Sequence, residues 1–148
     1  MIVKGELVLE HEGHHRCVLK EFDQDCFNGS WKTKSFGKVI DFNLMMNDDC
    51  TGELDAIHLN QGQRKKVILN SKKGYAESIQ AIYCVNGKVV LKAAEGDEIM
   101  GNEGDMILVK ANGDLGEQYF EVYNNEGRKV DLIIASIFLE KGVSKELV

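Results

Sequence analysis

The sequence has neither an excess of positive charge nor a long apolar run. Its 148 residues include 18 Lys and Arg against 24 Asp and Glu, which gives a formal net charge of -6. This balance argues against a nucleic-acid partner, because phosphate binding requires clustered Lys and Arg. No apolar stretch approaches the roughly 20 residues of a membrane-spanning helix, and the opening residues become charged too early for a secretory signal. We therefore expect a soluble, cytoplasmic protein without nucleic-acid or membrane partners.

Motifs for covalent or nucleotide chemistry are also missing. The sequence contains no Gly-x-Ser-x-Gly elbow for a nucleophilic serine, no Gly-x-x-x-x-Gly-Lys-Ser/Thr phosphate loop and no Gly-x-Gly-x-x-Gly dinucleotide fingerprint. The cysteines form no C-x-x-C pair, so we expect reduced thiols at Cys17, Cys26, Cys50 and Cys84. We accordingly predict no catalytic residue and no cofactor, and a binding role rather than an enzymatic one.

Period-two alternation is common in the sequence, whereas no long segment sustains the spacing of an amphipathic helix. The strips Leu7–Leu9 and Cys17–Leu19 flank a polar turn around Gly13, which predicts a hairpin. Asn86-Gly87 separates two further apolar strips and is typical of a type I′ hairpin turn. Short strands at intervals of about 8–12 residues, with glycines between them, predict an all-β barrel or sandwich.

The length predicts a single compact unit over residues 1–148. A weak internal repeat, in which Val3–Leu9 resembles Val85–Leu91, hints at two related β units inside it. Such units would cover about residues 1–75 and 76–148.

A specific run of residues follows Val39-Ile40 in the first half of the chain. It reads Asp41-Phe42-Asn43-Leu44-Met45, and its lead-in, Asp25–Thr33, contains aromatic residues and a glycine. Together with the opening Gly5–Leu9, these residues resemble the HutD/Ves family of cupin-like proteins, whose most recognisable motif is an Asp-Phe-Asn-Leu-Met run. The resemblance covers most of the chain.

The resemblance implies a cupin-like (RmlC-type) β-barrel fold in a bicupin arrangement, with two barrel units in one chain. It also implies a bacterial protein of histidine utilisation that binds a small ligand, acidic or formylated. Family members usually carry a further segment ahead of the opening hairpin, so we expect a shortened first unit with an uncovered strand edge. That edge and the apolar run Leu132–Leu139, which predicts a strand buried on both faces, favour a homo-oligomer.

Asp41 and Asn43 are the central candidates for ligand binding. On an extended strand both side chains project to one face, opposite an apolar face. Either they bond neighbouring turns and lock the strand, or they line a pocket with Val39 and Met45 and orient a small polar ligand. Trp31 is either a lid on the core or a wall of that pocket. The candidate ligand-binding residues are therefore Asp41, Asn43, Met45 and Trp31.

His11, His14 and His15 form a cluster of potential metal ligands. Metal-dependent cupins, however, use a paired His-x-His with a following Glu and a distant third His, and His58 is alone in its segment. We therefore interpret the cluster as an exposed polar turn and predict no metal site. The predicted function is a cupin-like protein that binds or regulates a small metabolite. The alternatives are a metal-dependent cupin enzyme (isomerase or dioxygenase) and a remnant that binds nothing.

Overall fold

The computed structural model describes four stretches of the chain: residues 1–69, 75–93, 96–112 and 118–140. In these stretches the chain forms thirteen β-strands and no helix, and hence none that could cross a membrane. The all-β prediction is confirmed. The chain divides into two compact units, Met1–Leu44 and Met45–Val148.

The first unit has five short strands: β1 (Ile2–Lys4), β2 (Leu7–His11), β3 (Arg16–Leu19), β4 (Thr33–Gly37) and β5 (Ile40–Asp41). β2 lies between β3 and β4 in an antiparallel sheet, and β1 pairs with β5. The predicted hairpin of β2 and β3 is confirmed. Alternation along these strands places Ile2, Leu9 and Leu19 together in a buried cluster.

Gly37 ends β4 where the backbone of β2 comes very close. Its φ is +138°, and a Cβ atom there would collide with the backbone carbonyl oxygen of Glu6. Because Gly37 is paired with Leu7, any side chain would push the two strands apart. The glycine thereby preserves the register that places Thr33 opposite His11 at the other end of this ladder.

The second unit has eight strands: β6 (Cys50–Leu59), β7 (Arg64–Leu69), β8 (Tyr75–Cys84), β9 (Lys88–Ala93), β10 (Glu98–Asn102), β11 (Met106–Asn112), β12 (Gln118–Tyr123) and β13 (Val130–Glu140). One sheet has the order β11-β8-β13-β6 and the other β10-β9-β12-β7. Except between β9 and β10, each strand lies in the sheet opposite to that of its predecessor. This order is that of the eight-stranded jelly roll to which cupins belong. The cupin-like fold is thus confirmed for this unit.

The apolar run near the end of the sequence is the central strand β13. Leu132 and Ile134 belong to the apolar core of the second unit. Ile133 and Ala135, on the opposite face, are also buried. Both faces of β13 are therefore buried within the single chain at these residues, and both its edges are paired, with β6 and β8. The run gives no support to the predicted homo-oligomer, which stays a prediction.

Asn86-Gly87 reverses the chain without joining paired strands. β8 and β9 belong to different sheets, so this turn passes from one sheet to the other. Gly87 has a φ of +70°, but Asn86 has no positive φ, and a type I′ turn requires one at both positions. The type I′ hairpin prediction is therefore wrong, because strands distant in sequence decide the pairing in a jelly roll.

The boundary between the two units lies after Leu44, not near residue 75. β6 and β7 pair with β13 and β12, and these ladders join residues 50–69 to the end of the chain. The described residues form one jelly roll. In place of the second barrel that a bicupin arrangement implies, the first 44 residues contain a three-stranded sheet and a two-stranded ladder.

Candidate ligand groove and histidine cluster

Asp41 and Asn43 lie at the end of β5 and just beyond it. The extended strand expected over residues 39–46 is limited to Ile40–Asp41, which pairs with the three-residue strand β1. The Nδ2 atom of Asn43 donates to Oδ2 of Asp41 at 2.8 Å. The two side chains thus bond each other rather than neighbouring turns. This bond uses one N–H and one carboxylate oxygen, so the Asn43 amide oxygen can still accept a bond from a ligand.

Both residues line a groove of about 530 Å³ in the first unit. Ile2, Leu9 and Leu19, the buried cluster of this unit, supply apolar lining. Polar side chains also line the groove, among them Asp25, Thr33, Ser35 and Lys38. An apolar surface with a few polar groups is typical of a site that orients a small molecule.

The other two candidates lie elsewhere. Trp31 is half-buried, and its ring stacks on His14 with centroids 3.7 Å apart. It thus belongs to the surroundings of the histidine cluster and is not part of the groove lining. Met45 is 89% exposed and belongs to the second compact unit. The structure therefore brings Asp41 and Asn43 together but separates Trp31 from them.

His11 is the last residue of β2 and is buried, with 3% of its surface exposed. Its Nδ1 atom lies 2.8 Å from Thr33 Oγ1, and its Nε2 atom lies 2.9 Å from Asp25 Oδ2. The interpretation as an exposed turn holds for His14 and His15 but is wrong for His11. The pairing of β2 with β4 covers this ring, because it places Thr33 beside it.

Asp25 is approached by several donors at once. His15 Nε2 lies 3.0 Å and Cys17 Sγ 3.4 Å from the same oxygen, Oδ2, that faces His11. Burial raises the pKa of this carboxyl, but hydrogen bonds from His15, His11 and Cys17 outweigh burial and hold the pKa below its usual value. Burial and the bond to Asp25 raise the pKa of the Cys17 thiol. At neutral pH the cluster therefore presents the Asp25 carboxylate between two histidine rings.

Sequence reasoning missed Asp25 as a member of this cluster. His11 and His15 flank the turn between β2 and β3, so their proximity follows from the predicted hairpin. Asp25 reaches them from the irregular segment between β3 and β4, and no periodic pattern in the sequence marks where such a segment folds back. The available signal in the sequence was that two histidines and an aspartate, His11, His15 and Asp25, occur within fifteen residues.

The jelly roll itself does not contain the ligand set of a metal-dependent cupin. His58 is the only histidine after residue 44, and its Nδ1 atom lies 2.6 Å from Asp131 Oδ1. The interior is lined by aliphatic and aromatic side chains, including Ile57, Val122 and Leu132. Without imidazoles these donors do not fit the metal that the fold family implies, so we derive no step through such a metal.

A buried amide, that of Gln80, interrupts this apolar interior. Gln80 lies on the same face of β8 as the core residues Ile82 and Cys84, and 2% of its surface is exposed. Its Nε2 atom donates to the Ile68 carbonyl at 3.1 Å, but its buried Oε1 has no hydrogen-bond partner among the described residues. An unpaired buried acceptor costs about 1–3 kcal/mol, so Gln80 is a second place where a ligand donor could bind.

No protein-family model matches the sequence, and no curated protein matches it. Among solved structures, a de novo designed double-stranded β-helix is 14% identical, covers 57% of this chain and 97% of its own, and has a TM-score of 0.47. A protein with a double-stranded β-helix domain from Klebsiella pneumoniae is 14% identical over 66% of this chain and 81% of its own, with a TM-score of 0.42. A cupin-superfamily sugar phosphate isomerase from Silicibacter pomeroyi is 11% identical over 61% of this chain and 57% of its own, with a TM-score of 0.41. The strand order, rather than these likenesses, establishes the fold.

Proposed function

We propose that this protein binds a small polar metabolite in the groove of its first unit. The observation that carries the proposal is the Asp41–Asn43 pair, which lines a groove whose other walls include buried aliphatic side chains. The groove volume, about 530 Å³, lies within the range of about 300–1,000 Å³ that is usual for small-molecule sites.

The polar lining indicates the chemistry of the metabolite. Lys38 can pair with a carboxylate, and the amide of Asn43 can bond a formyl or carbonyl oxygen. The carboxylates of Asp25 and Asp41 suit N–H donors rather than a second acid group. An N-formylated amino acid carries all three features. This agrees with the HutD/Ves resemblance, from which the proposed link to histidine utilisation comes.

The proposed role is binding or regulation rather than catalysis. The metal-dependent enzyme, the main alternative, requires a set of imidazoles in the barrel, whereas the second unit contains His58 alone. A remnant that binds nothing is the remaining alternative, and it is excluded only by measured binding.

Isothermal titration calorimetry with formate, N-formylglutamate, urocanate and glutamate tests the proposal. We expect the formylated compound to bind and Asn43→Ala to weaken its binding at least tenfold. Asn47→Ala is a matched control, because Asn47 bonds Asp49 across the same spacing but does not line the groove. A ligand at one hundred times its Kd should also stabilise the fold by roughly 2.7 kcal/mol.

Two results would contradict this proposal. If none of the four compounds binds, the remnant is favoured. If Gln80→Leu abolishes binding while Asn43→Ala leaves it unchanged, the ligand occupies the barrel interior and not the groove. Circular dichroism of each variant shows whether its strands are intact, so that a loss of binding is not mistaken for a loss of folding.

A further inference from the structure

Two imidazoles and one carboxylate converge in the first unit. His11, His15 and Asp25 each offer one ligand atom, and these atoms all lie within 4.8 Å of one another. The two Nε2 atoms approach the same Asp25 oxygen at 2.9 and 3.0 Å. Two ligand atoms bound at about 2.1 Å from a tetrahedral zinc ion stand about 3.4 Å apart. The two observed separations are only about 0.4–0.5 Å shorter, so small side-chain shifts would bring all three atoms to binding distance of one ion.

The neighbours of His11 fix the orientation of its ring. Its Nδ1 atom lies 2.8 Å from Thr33 Oγ1, and this contact directs Nε2 toward Asp25 Oδ2, 2.9 Å away. The Nε2–H that donates to Asp25 is the proton that a bound metal ion would displace. Metal-ligating histidines are typically oriented by such a second bond on their other nitrogen.

We infer that His11, His15 and Asp25 bind one divalent transition-metal ion, for which zinc is the first choice. Two imidazoles with one carboxylate suit zinc, cobalt or nickel, whereas magnesium and calcium take sets of oxygen ligands. Three protein ligands leave a coordination position for water or a small ligand. The inference shares Asp25 with the groove of the proposed function, but His11 and His15 do not line that groove. Loss of metal binding in His15→Gln therefore tests the metal site separately from the metabolite site.

The burial of the three side chains suits a rigid but accessible site. The His11 side chain is 0% exposed and Asp25 16%, whereas His15 is 41% exposed and offers a route of entry. Phe27 packs on His11 with ring centroids 4.4 Å apart. Trp31 approaches His11 and His15 edge-on at 5.7 and 6.1 Å. The rings of Phe27 and Trp31 shield His11 from water, which strengthens charge interactions at this ligand.

Titration of the tag-free, chelator-treated chain with Zn²⁺ tests the site by calorimetry. We expect one Zn²⁺ per chain and a loss of affinity of at least tenfold, about 1.4 kcal/mol, in both His15→Gln and Asp25→Asn. His14→Gln and His58→Gln are matched controls and should bind as the wild type does. His15 and Asp25 are the preferred targets because His11 is buried, and its replacement endangers folding.

Trp31 provides a second measurement because it is the only tryptophan in the chain. Its distance to the two rings, 5.7 and 6.1 Å, predicts that Co²⁺ quenches its fluorescence in a 1:1 titration and that excess Mg²⁺ does not reverse the effect. Absence of stoichiometric Zn²⁺ binding would overturn the inference, as would equal affinity in Asp25→Asn and His58→Gln. Far-ultraviolet circular dichroism of the metal-free variants separates loss of ligands from loss of fold.

Discussion

Asp131 joins three distant parts of the second unit, and its replacement by asparagine should be strongly destabilising. Its Oδ1 atom lies 2.6 Å from His58 Nδ1 and 2.9 Å from Lys129 Nζ, and its Oδ2 accepts from Asn86 Nδ2 at 2.9 Å. The Asp131 side chain is 11% exposed. The substitution Asp131→Asn keeps the shape of the side chain but removes its negative charge. It also replaces one carboxylate oxygen by an NH₂ group, which cannot accept a hydrogen bond from these donors.

The expected loss follows from these contacts. A hydrogen bond to a charged group contributes about 1.5–3 kcal/mol, but Lys129 is 51% and His58 42% exposed, so water screens both. Two such bonds at the lower end of the range give a loss of about 3 kcal/mol for Asp131→Asn. For a chain of this length that lowers Tm by roughly 6–12 °C. Urea unfolding of the wild type and the variant measures the difference in their free energies of unfolding. The control is Asp48→Asn, which removes a carboxylate at an exposed position.

The pH dependence has a definite sign. Burial raises the pKa of Asp131, but bonds from Lys129, His58 and Asn86 outweigh burial and hold the pKa below its usual value. A depressed carboxyl pKa stabilises the fold above the unfolded-state pKa of about 3.9, and this contribution disappears as pH falls through the folded-state pKa. The difference between wild type and Asp131→Asn should therefore shrink below about pH 4. Two results would refute the reasoning. One is a loss in free energy of unfolding under about 1 kcal/mol for Asp131→Asn at pH 7, and the other is a difference between variant and wild type that stays unchanged down to about pH 3.

Two further predictions concern the second unit. Gly87→Ala should cost about 2 kcal/mol in urea unfolding, because a Cβ there, at φ +70°, would lie 2.8 Å from Val130 Cγ2. Gly104→Ala, at φ +87° with no atom within 4 Å, should cost only about 1 kcal/mol; equal losses would show that the contact with Val130 is harmless. For the predicted homo-oligomer we expect an interface on the edge strand β11, where Met106 is 52% and Leu108 66% exposed. Light scattering should then show a dimer that Leu108→Lys dissociates, and a wild-type monomer at micromolar concentration would remove that prediction.

Local patterns in the sequence predicted local structure well. The strips Leu7–Leu9 and Cys17–Leu19 pair as expected, because alternation and a short glycine-containing turn act over neighbouring residues. The run Leu132–Leu139 forms a strand as predicted, and it is buried on both faces over Leu132–Ala135. Asp41 and Asn43 were chosen as ligand-binding candidates because an extended strand would place both on one polar face. Their role stays a prediction, and the strand itself is only two residues long.

Long-range structure was the part that local patterns could not supply. The residues Asn86-Gly87 predict a turn, but they do not determine whether the strands on either side of it pair with each other. In this structure those strands, β8 and β9, lie in different sheets. The position of Asp25 depends on an irregular segment that brings it back to His11. The burial of His11 depends in turn on strand β4, which begins more than twenty residues later in the sequence. Each of these features is decided by a partner that no short window of sequence contains.

The ladder between β6 and β13 has a consequence for how this protein is made. Cys50 is paired with Leu139, and Leu59 with Val130, so the first strand of the jelly roll binds directly to the last. During synthesis on the ribosome, β6 stays without this neighbour until β13 has also been synthesised. A β topology with such distant pairing folds slowly and exposes open strand edges meanwhile. The nascent jelly roll is thus vulnerable to aggregation until β13 has been synthesised and has paired with β6.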